Sequence, residues 1–129
     1  RSGGICRRCR RIIPTSSPVQ FEPDALKDSI GRLMQYQPAA MHLTHFGTVD
    51  NPVPLAAALV EQIDDMVAIG HASAPGPERQ QALEQALSVY YARRAAAAGI
   101  DRALAHEVLA IDITLNAQGL VCWLERIKR

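Results

Sequence analysis

Proline and glycine divide this chain into segments, and the longer segments carry apolar residues at helical spacing. Proline withholds a backbone donor and disrupts a helix interior, so helices are expected between these breaks. Alanine is frequent in the segments, and aromatic residues make up only 5% of the chain. A core of Leu, Ile, Val, Met and Ala favours helices. The pattern therefore predicts a mainly α protein.

The first helix is predicted to begin near Pro23. A proline suits the first turn, and Asp24 suits the positive end of the helix dipole. Pro38 ends the helix, and the apolar segment Ala39–Thr44 then predicts a short buried strand. The apolar stripe of this helix consists of Leu26, Ile30, Leu33 and Met34.

Three more helices are predicted after residue 50. Asp50 or Asn51 caps the first of them, and Gly70 closes it. Gly99 stops the next helix, and Asp101 caps the last. Their expected buried faces are Leu55, Leu59, Ile63, Met66 and Val67; then Leu83, Leu87, Tyr90 and Tyr91; then Leu104, Val108, Ile111 and Leu115, with Leu109 and Ile113 beside them. We therefore expect a three- to four-helix array with one or two short strands.

The first 23 residues have a different character. They contain three prolines and no helical period, which predicts a basic, proline-containing arm at 1–23 before a helical domain at 24–129 with a strand near 39–45. The net charge of +1 is too near neutral to predict nucleic acid or a membrane as a partner of the whole domain. Purely apolar stretches are also too short to cross a bilayer. Five of the 14 basic residues are Arg1, Arg7, Arg8, Arg10 and Arg11.

The cysteines and the N-terminus predict a cytoplasmic location. Three cysteines are an odd number, and no apolar secretory signal precedes them, so we expect reduced thiols. Cys6 and Cys9 form one C-x-x-C pair, which suits redox chemistry or half of a zinc knuckle. Cys122 supplies no second pair, and we favour incidental cysteines. Because the chain does not begin with methionine, we expect an interior piece or a trimmed front.

Two histidines stand three residues apart in "MHLTHFG", and such a pair is typical of part of a metal site. His42 and His45 would point to different faces of an extended strand, so joint chelation requires a turn between them. His71 lies in a linker and His106 on a helix, and nothing in the sequence brings either near His45.

Two stretches resemble the C-terminal part of metallo-β-lactamase-fold hydrolases. They read "IIPTSSPVQFEPDALKDSIGRLMQYQPAAMHLTHFGTVDNP" and "LAIDITLNAQGLVCWL". The similarity is to the group related to glyoxalase II and ribonuclease Z, particularly bacterial members with a helical C-terminal extension. It implies that the chain corresponds to the C-terminal portion of an αβ/βα sandwich with a site for zinc or iron. His45 matches the last metal ligand of that family.

The rest of the family's ligand set is missing from the sequence. No H-x-H-x-D-H motif occurs, and no acid precedes Glu22 where a bridging aspartate would stand. A catalytic zinc needs about three protein ligands and one open position. The resemblance leaves only His45 as a metal ligand, so we expect no catalytic residue and no cofactor in the isolated chain, although the parent family uses zinc or iron.

Two functions follow from these observations. The first is a fragment of a metal-dependent hydrolase that is inactive alone and forms a homo-oligomer through apolar faces at Leu26–Met34 and Ala39–Leu43. The alternative is a small interaction module whose arginine-rich arm binds nucleic acid or an acidic partner. No aromatic residue interleaves with those arginines, so we favour the hydrolase fragment and expect neither nucleic acid nor a membrane as partner. A third option assembles the metal ligands across a symmetric interface.

Polar residues elsewhere are expected to have structural roles. Asp112 and Asn116 lie one helical turn apart among apolar residues, and we expect them to satisfy backbone groups at loops or helix ends. The acids Glu61, Asp64 and Asp65 are predicted to form a solvated helix face.

Overall fold

A computed structural model of the chain describes residues 5–6, 11–14, 17–43 and 47–129. The protein is mainly helical, as predicted, with short strands that pair two by two. In chain order the elements are β1 (Ile5–Cys6), β2 (Arg11–Ile12), a 3-10 turn (Pro18–Gln20), α1 (Pro23–Gln35), β3 (Ala40–Leu43), β4 (Gly47–Asp50), α2 (Pro52–Ala72), α3 (Arg79–Ala97) and α4 (Arg102–Arg126).

Local sequence signals set the helix ends. Helix α1 begins at Pro23, as predicted, and the backbone leaves it at Gln37, which has a positive φ of 50°. Helix α3 ends at Ala97, and Gly99 just beyond its C-cap has a φ of +70°. There the amide of Ile100 donates to the carbonyl of Ala95 over 2.9 Å, which is the Schellman arrangement that a glycine in this position permits.

Helix α2 runs past its predicted end. It continues through Gly70 to Ala72. The hydroxyl of Ser73 then donates to the carbonyl of Gly70 over 2.6 Å, and this bond satisfies one of the last helical acceptors. The predicted stop was wrong because the cap is supplied by a serine side chain rather than by a left-handed glycine.

Helix α4 begins where the sequence predicts but buries a different face. The Asp101 carboxylate accepts the amides of Ala103 (2.9 Å) and Leu104 (3.1 Å) and so caps the helix. The buried side contains Leu109 and Ile113, whereas three of the four residues predicted to be buried are exposed. Those exposed residues are Leu104, Val108 and Ile111.

The chain divides into two compact units. Unit 1 is formed by the described residues within Arg1–Thr15 and Glu22–Asp65, and unit 2 within Ser16–Phe21 and Met66–Arg129. Helix α2 therefore contributes its first part to unit 1 and its last turns to unit 2.

Unit 1 contains both antiparallel strand pairs and α1. In β3–β4, Met41 lies opposite Val49, and Val49 is buried. The predicted buried strand is instead the half-covered strand of a hairpin, because Ala40 and His42 are exposed. Lys27 of α1 forms an ion pair with Asp64 of α2 at 2.6 Å.

Unit 2 has a core of aliphatic side chains from α3 and α4, closed at one end by aromatic rings. Phe21 is 3% exposed and meets the Trp123 ring edge-on, with 6.3 Å between ring centroids. The Arg126 guanidinium donates to the carbonyls of Val19 (2.9 Å) and Phe21 (2.5 Å). The segment before α1 is thereby held against the end of α4. Other buried residues of this core are Leu83, Leu87, Leu109, Ile113, Leu120 and Leu124.

Candidate functional site

The hairpin β3–β4 is the candidate site, because the predicted metal ligand His45 lies between its two strands in the sequence. Its register pairs Ala40 with Asp50 and Leu43 with Gly47. The amide of Asn51 donates to the carbonyl of Ala39 over 2.9 Å and extends the ladder by one bond. Gly47 has a φ of +83°, a conformation that disfavours other residues at the start of β4. The pairing and the backbone conformation thus define the end of β3 at Leu43 and the start of β4 at Gly47.

His45, the predicted metal ligand, lies outside the described residues. The residues on either side of its segment, Leu43 and Gly47, are paired across the hairpin. Within the described part of the chain, no group of three or more His, Cys, Asp or Glu side chains is placed to hold a metal ion.

His42 occupies the exposed face of the same hairpin. Its Nδ1 is 2.9 Å from the hydroxyl oxygen of Thr48, the residue directly opposite on β4. Thr48 was not singled out in the sequence, because a cross-strand partner is visible only once β4 is recognised. The bond fixes the orientation of the His42 ring, and the residue is an exposed strand histidine.

The two remaining histidines belong to unit 2. His71 packs against Trp123 with ring centroids 5.2 Å apart. His106 lines a pocket between α3 and α4 together with Arg102, Ser88 and Tyr91. That pocket has a volume of about 80 Å³. Sites for small-molecule ligands usually occupy roughly 300–1,000 Å³, so this pocket is too small for a typical organic substrate.

The buried hydroxyl of Tyr91 has hydrogen-bond partners on two other side chains. This hydroxyl donates to the sulfur of Met66 over 3.5 Å and is hydrogen-bonded to the amide of Asn116. Burial and the neighbouring Tyr90 raise the pKa of Tyr91. Asn116 is fully buried, and the backbone role predicted for it stays a prediction beside this side-chain bond.

Asp112 lies one turn before Asn116 on α4. It is 8% exposed, and burial raises the pKa of its carboxyl group. None of the ion pairs between described residues involves it. The predicted pairing of Asp112 with backbone groups is also not among the described hydrogen bonds. A buried acid of this kind makes stability depend on pH. Asp112 does not line the pocket between α3 and α4.

The other candidates have simpler environments. Asp64 of the acidic group on α2 is exposed and accepts a hydrogen bond from Lys27 over 2.6 Å. Cys122 is half-buried on α4 with a free thiol. Cys9 of the C-x-x-C pair lies outside the described residues.

Comparison of the chain with protein-family models, with curated proteins and with solved structures returned no match.

Proposed function

We propose that this chain is the C-terminal part of a metal-dependent hydrolase of the metallo-β-lactamase type, and that it is catalytically inactive alone. The observation that carries the proposal is the hairpin β3–β4. Its three-residue connection between the paired Leu43 and Gly47 contains His45. A histidine between two paired strands is suited to be one metal ligand among others that come from elsewhere in a complete enzyme.

The number of ligands explains why the isolated chain would be inactive. A hydrolytic zinc keeps about three protein ligands and one open position, where it lowers the pKa of bound water to about 7. In the proposed role, His45 contributes one imidazole, and the remaining ligands come from a β-sandwich that precedes this chain.

The surface of α1 also supports the proposal. The helix has an amphipathic sequence, yet Pro23 is its only buried residue, and Leu33 remains 47% exposed. Tyr36, directly after the helix, is 85% exposed. In the complete enzyme the sandwich would cover this face. In the isolated chain the same face favours association between copies.

Metal content of the isolated chain is the first test. After purification without a histidine tag and incubation with zinc or iron, we expect less than one ion per chain and no hydrolysis of ester, thioester, lactam or phosphodiester substrates. One tightly bound ion per chain, accompanied by turnover, would falsify the proposal.

A fusion gives the positive test. The chain is placed behind a metallo-β-lactamase-fold sandwich from which the last ligand strand has been removed, and metal content and turnover are measured. We expect both to be restored, and His45→Ala to lower metal affinity by more than roughly 100-fold, since outer-shell partners alone contribute about 10–100-fold.

His42→Ala is the matched control in that fusion. This histidine stands in the same hairpin but is bound to Thr48 on the exposed face. We therefore expect metal binding and turnover to change little. Equal losses in the His42 and His45 variants would mean that the hairpin, rather than one ligand, is responsible.

As a second candidate, we propose that the basic N-terminal arm binds nucleic acid or an acidic partner. Its supporting observation is the antiparallel pairing of Cys6 with Arg11, since three of the four residues that connect them are arginines. The test is binding to heparin or duplex DNA at increasing salt. Affinity should fall steeply with salt, because released counterions drive such binding. No salt-dependent binding at low ionic strength would eliminate this candidate.

A further inference from the structure

The pocket between α3 and α4 is a feature that the hydrolase proposal leaves unused. It lies within unit 2, and its walls come from those two helices alone. Three polar side chains line it, namely Ser88 of α3 and Arg102 and His106 of α4, and the rest of the described lining is aliphatic or aromatic. A few polar groups set among apolar ones are typical of a ligand site.

Helical spacing explains why the polar groups meet. Arg102 and His106 are four residues apart on α4, so they lie one turn apart on the same helix face. Residues 98–101 form a short connection that brings the end of α3 next to the start of α4. The first turns of α4 therefore pack beside the later turns of α3, where Ser88 is half-buried. The pocket opens to solvent on the side of the exposed Arg102 and His106.

Helix α4 must stay in unit 2 for the pocket to exist. Within the described residues, it is the one helix long and apolar enough to cross a membrane by length and composition, but half of that apolar window is buried in the fold. Leu109 and Ile113 belong to the buried half and also line the pocket. Insertion into a bilayer would separate both residues from the core. The pocket is therefore a property of the chain folded in water.

The three polar side chains have hydrogen-bond donors that the described part of the chain does not use. No hydrogen bond or ion pair between described residues engages the side chain of Ser88, Arg102 or His106. A guanidinium has several N–H donors and no acceptor, whereas a hydroxyl and an imidazole can each donate as well. A group rich in acceptors is therefore the partner that this set fits.

The charge of the lining is positive. Arg102 is always charged, and none of the described residues that line the pocket is acidic. The nearest acids in the sequence are Asp101 and Glu107, and neither of them lines the pocket. The Asp101 carboxylate already accepts two backbone amides at the start of α4, so that end of the helix is satisfied. An anion in the pocket would meet a cation and further donors but no carboxylate.

The volume of the pocket limits the anion to a small one. A cavity needs roughly 10–15 Å³ for each water, so the volume of about 80 Å³ holds about five water-sized groups or slightly more. This is comparable to the number of heavy atoms in a phosphate ion. A carboxylate also fits, but Arg102 alone would use both of its oxygens. A tetrahedral phosphate can pair two oxygens with the guanidinium and has oxygens left for His106 and Ser88.

We propose that this pocket binds one phosphate group, either as inorganic phosphate or as the terminal group of a small phosphomonoester. In this arrangement the Arg102 guanidinium holds two oxygens with parallel N–H groups, while His106 and Ser88 donate to the others. Helix α4 supplies the charge, and α3 supplies a donor that orients the ligand. The proposal is separate from the hydrolase function, because no residue of the β3–β4 hairpin takes part in it.

Phosphate titration followed by nuclear magnetic resonance tests the site. Imidazole signals are recorded at constant pH while sodium phosphate replaces chloride at constant ionic strength. We expect the His106 signal to shift and to saturate with a dissociation constant of about 0.1–10 mM, since a ligand of few atoms in a pocket open to water binds weakly. His42 and His71 have other surroundings and should not shift.

Two variants remove separate donors. Arg102→Gln should weaken phosphate binding by about tenfold or more, because it removes the charge and the paired donors. Ser88→Ala should weaken it by about two- to tenfold, through the loss of one hydrogen bond. Arg129→Gln is the control, because it removes the same charge from an exposed position beyond the far end of α4. We expect the control to bind phosphate as the wild type does, and circular dichroism checks that helix content is unchanged in all three variants.

Three outcomes overturn the inference. They are a His106 signal that does not saturate at tens of millimolar phosphate, an affinity that Arg102→Gln leaves unchanged, and an equal loss in Arg129→Gln. Acetate should bind far more weakly than phosphate, and equal binding would contradict a tetrahedral ligand. Phenyl phosphate distinguishes the two sources of the phosphate group. Binding as tight as that of inorganic phosphate assigns the pocket to a phosphomonoester, whereas much weaker binding assigns it to the free ion.

Discussion

Asp112 is a buried acid whose effect on stability is determined by pH. Burial raises the pKa of its carboxyl group in the folded state above the ordinary value of 3.8. The folded chain therefore holds this proton more tightly than the unfolded chain does. The contribution to stability is fully present below pH 3.8 and is lost as the pH rises through the raised pKa. At neutral pH the ionised carboxylate is destabilising.

We predict that Asp112→Asn stabilises the protein at pH 7, because it removes the buried charge while keeping the side-chain shape. The gain should shrink as the pH falls into the acid range, where the wild-type carboxyl is protonated. Urea unfolding at several pH values measures both effects. Glu107→Gln, an exposed change on the same helix, should leave the pH dependence unchanged. A destabilised Asp112→Asn variant at pH 7 would contradict the prediction.

Tyr91 gives a second pH dependence, at the alkaline end. Its raised pKa means that the unfolded chain loses this proton near pH 10 while the folded chain retains it, so stability falls as the pH rises above 10. We predict that Tyr91→Phe costs about 1 kcal/mol at pH 7, through its lost hydrogen bonds. Its stability should approach that of wild type above pH 10, as followed by circular dichroism. Tyr36→Phe, at an exposed tyrosine, should have no such effect.

At the scale of elements, helix ends were largely predictable because their signals are local. Pro23 and Asp101 begin α1 and α4 as predicted, and Gly99 lies just beyond the end of α3. Strand β4 was missed, because "GTVD" pairs with β3 rather than leading directly into α2. A strand depends on a partner elsewhere in the chain, and no local signal indicates that partner.

The buried face of α4 could not be predicted because both of its faces are apolar. Because Asp112 and Asn116 are polar, the sequence pattern predicted that the face containing them is exposed to solvent. Tyr91, on another helix, supplies the partner for Asn116 that makes burial possible. Sequence periodicity cannot reveal such a partner. Likewise, His45 was identified as a metal ligand by family resemblance and not by any pattern of spacing.

The cap of α4 gives a prediction at this scale. Asp101→Ala removes the acceptor of two backbone amides and should lower the free energy of unfolding by about 1 kcal/mol. Asp101→Asn retains an oxygen in the same place and should cost much less. Thermal or urea unfolding distinguishes the two variants. Equal losses would show that the charge of Asp101 at the helix dipole, rather than its hydrogen bonds, is what stabilises the helix.

At the scale of the whole molecule, Phe21 packs the segment just before α1 against the last helix, α4. It is almost fully buried against Trp123. Phe21→Ala should lower the free energy of unfolding by about 3–5 kcal/mol through lost burial and the cavity left behind. Val19→Ala, at a side chain that is 72% exposed, should cost less than about 0.5 kcal/mol. Urea unfolding of both variants checks the difference.

The contacts of Arg126 with Val19 and Phe21 span 107 and 105 residues of sequence. During translation, Phe21 is made long before the residues that cover it. At about 5–20 residues per second, roughly 5–20 s pass between the synthesis of Phe21 and that of the residues that bury its ring. A nascent polypeptide without the final turn of α4 therefore exposes an apolar aromatic ring. The core of unit 2 can be completed only when that turn has been synthesised.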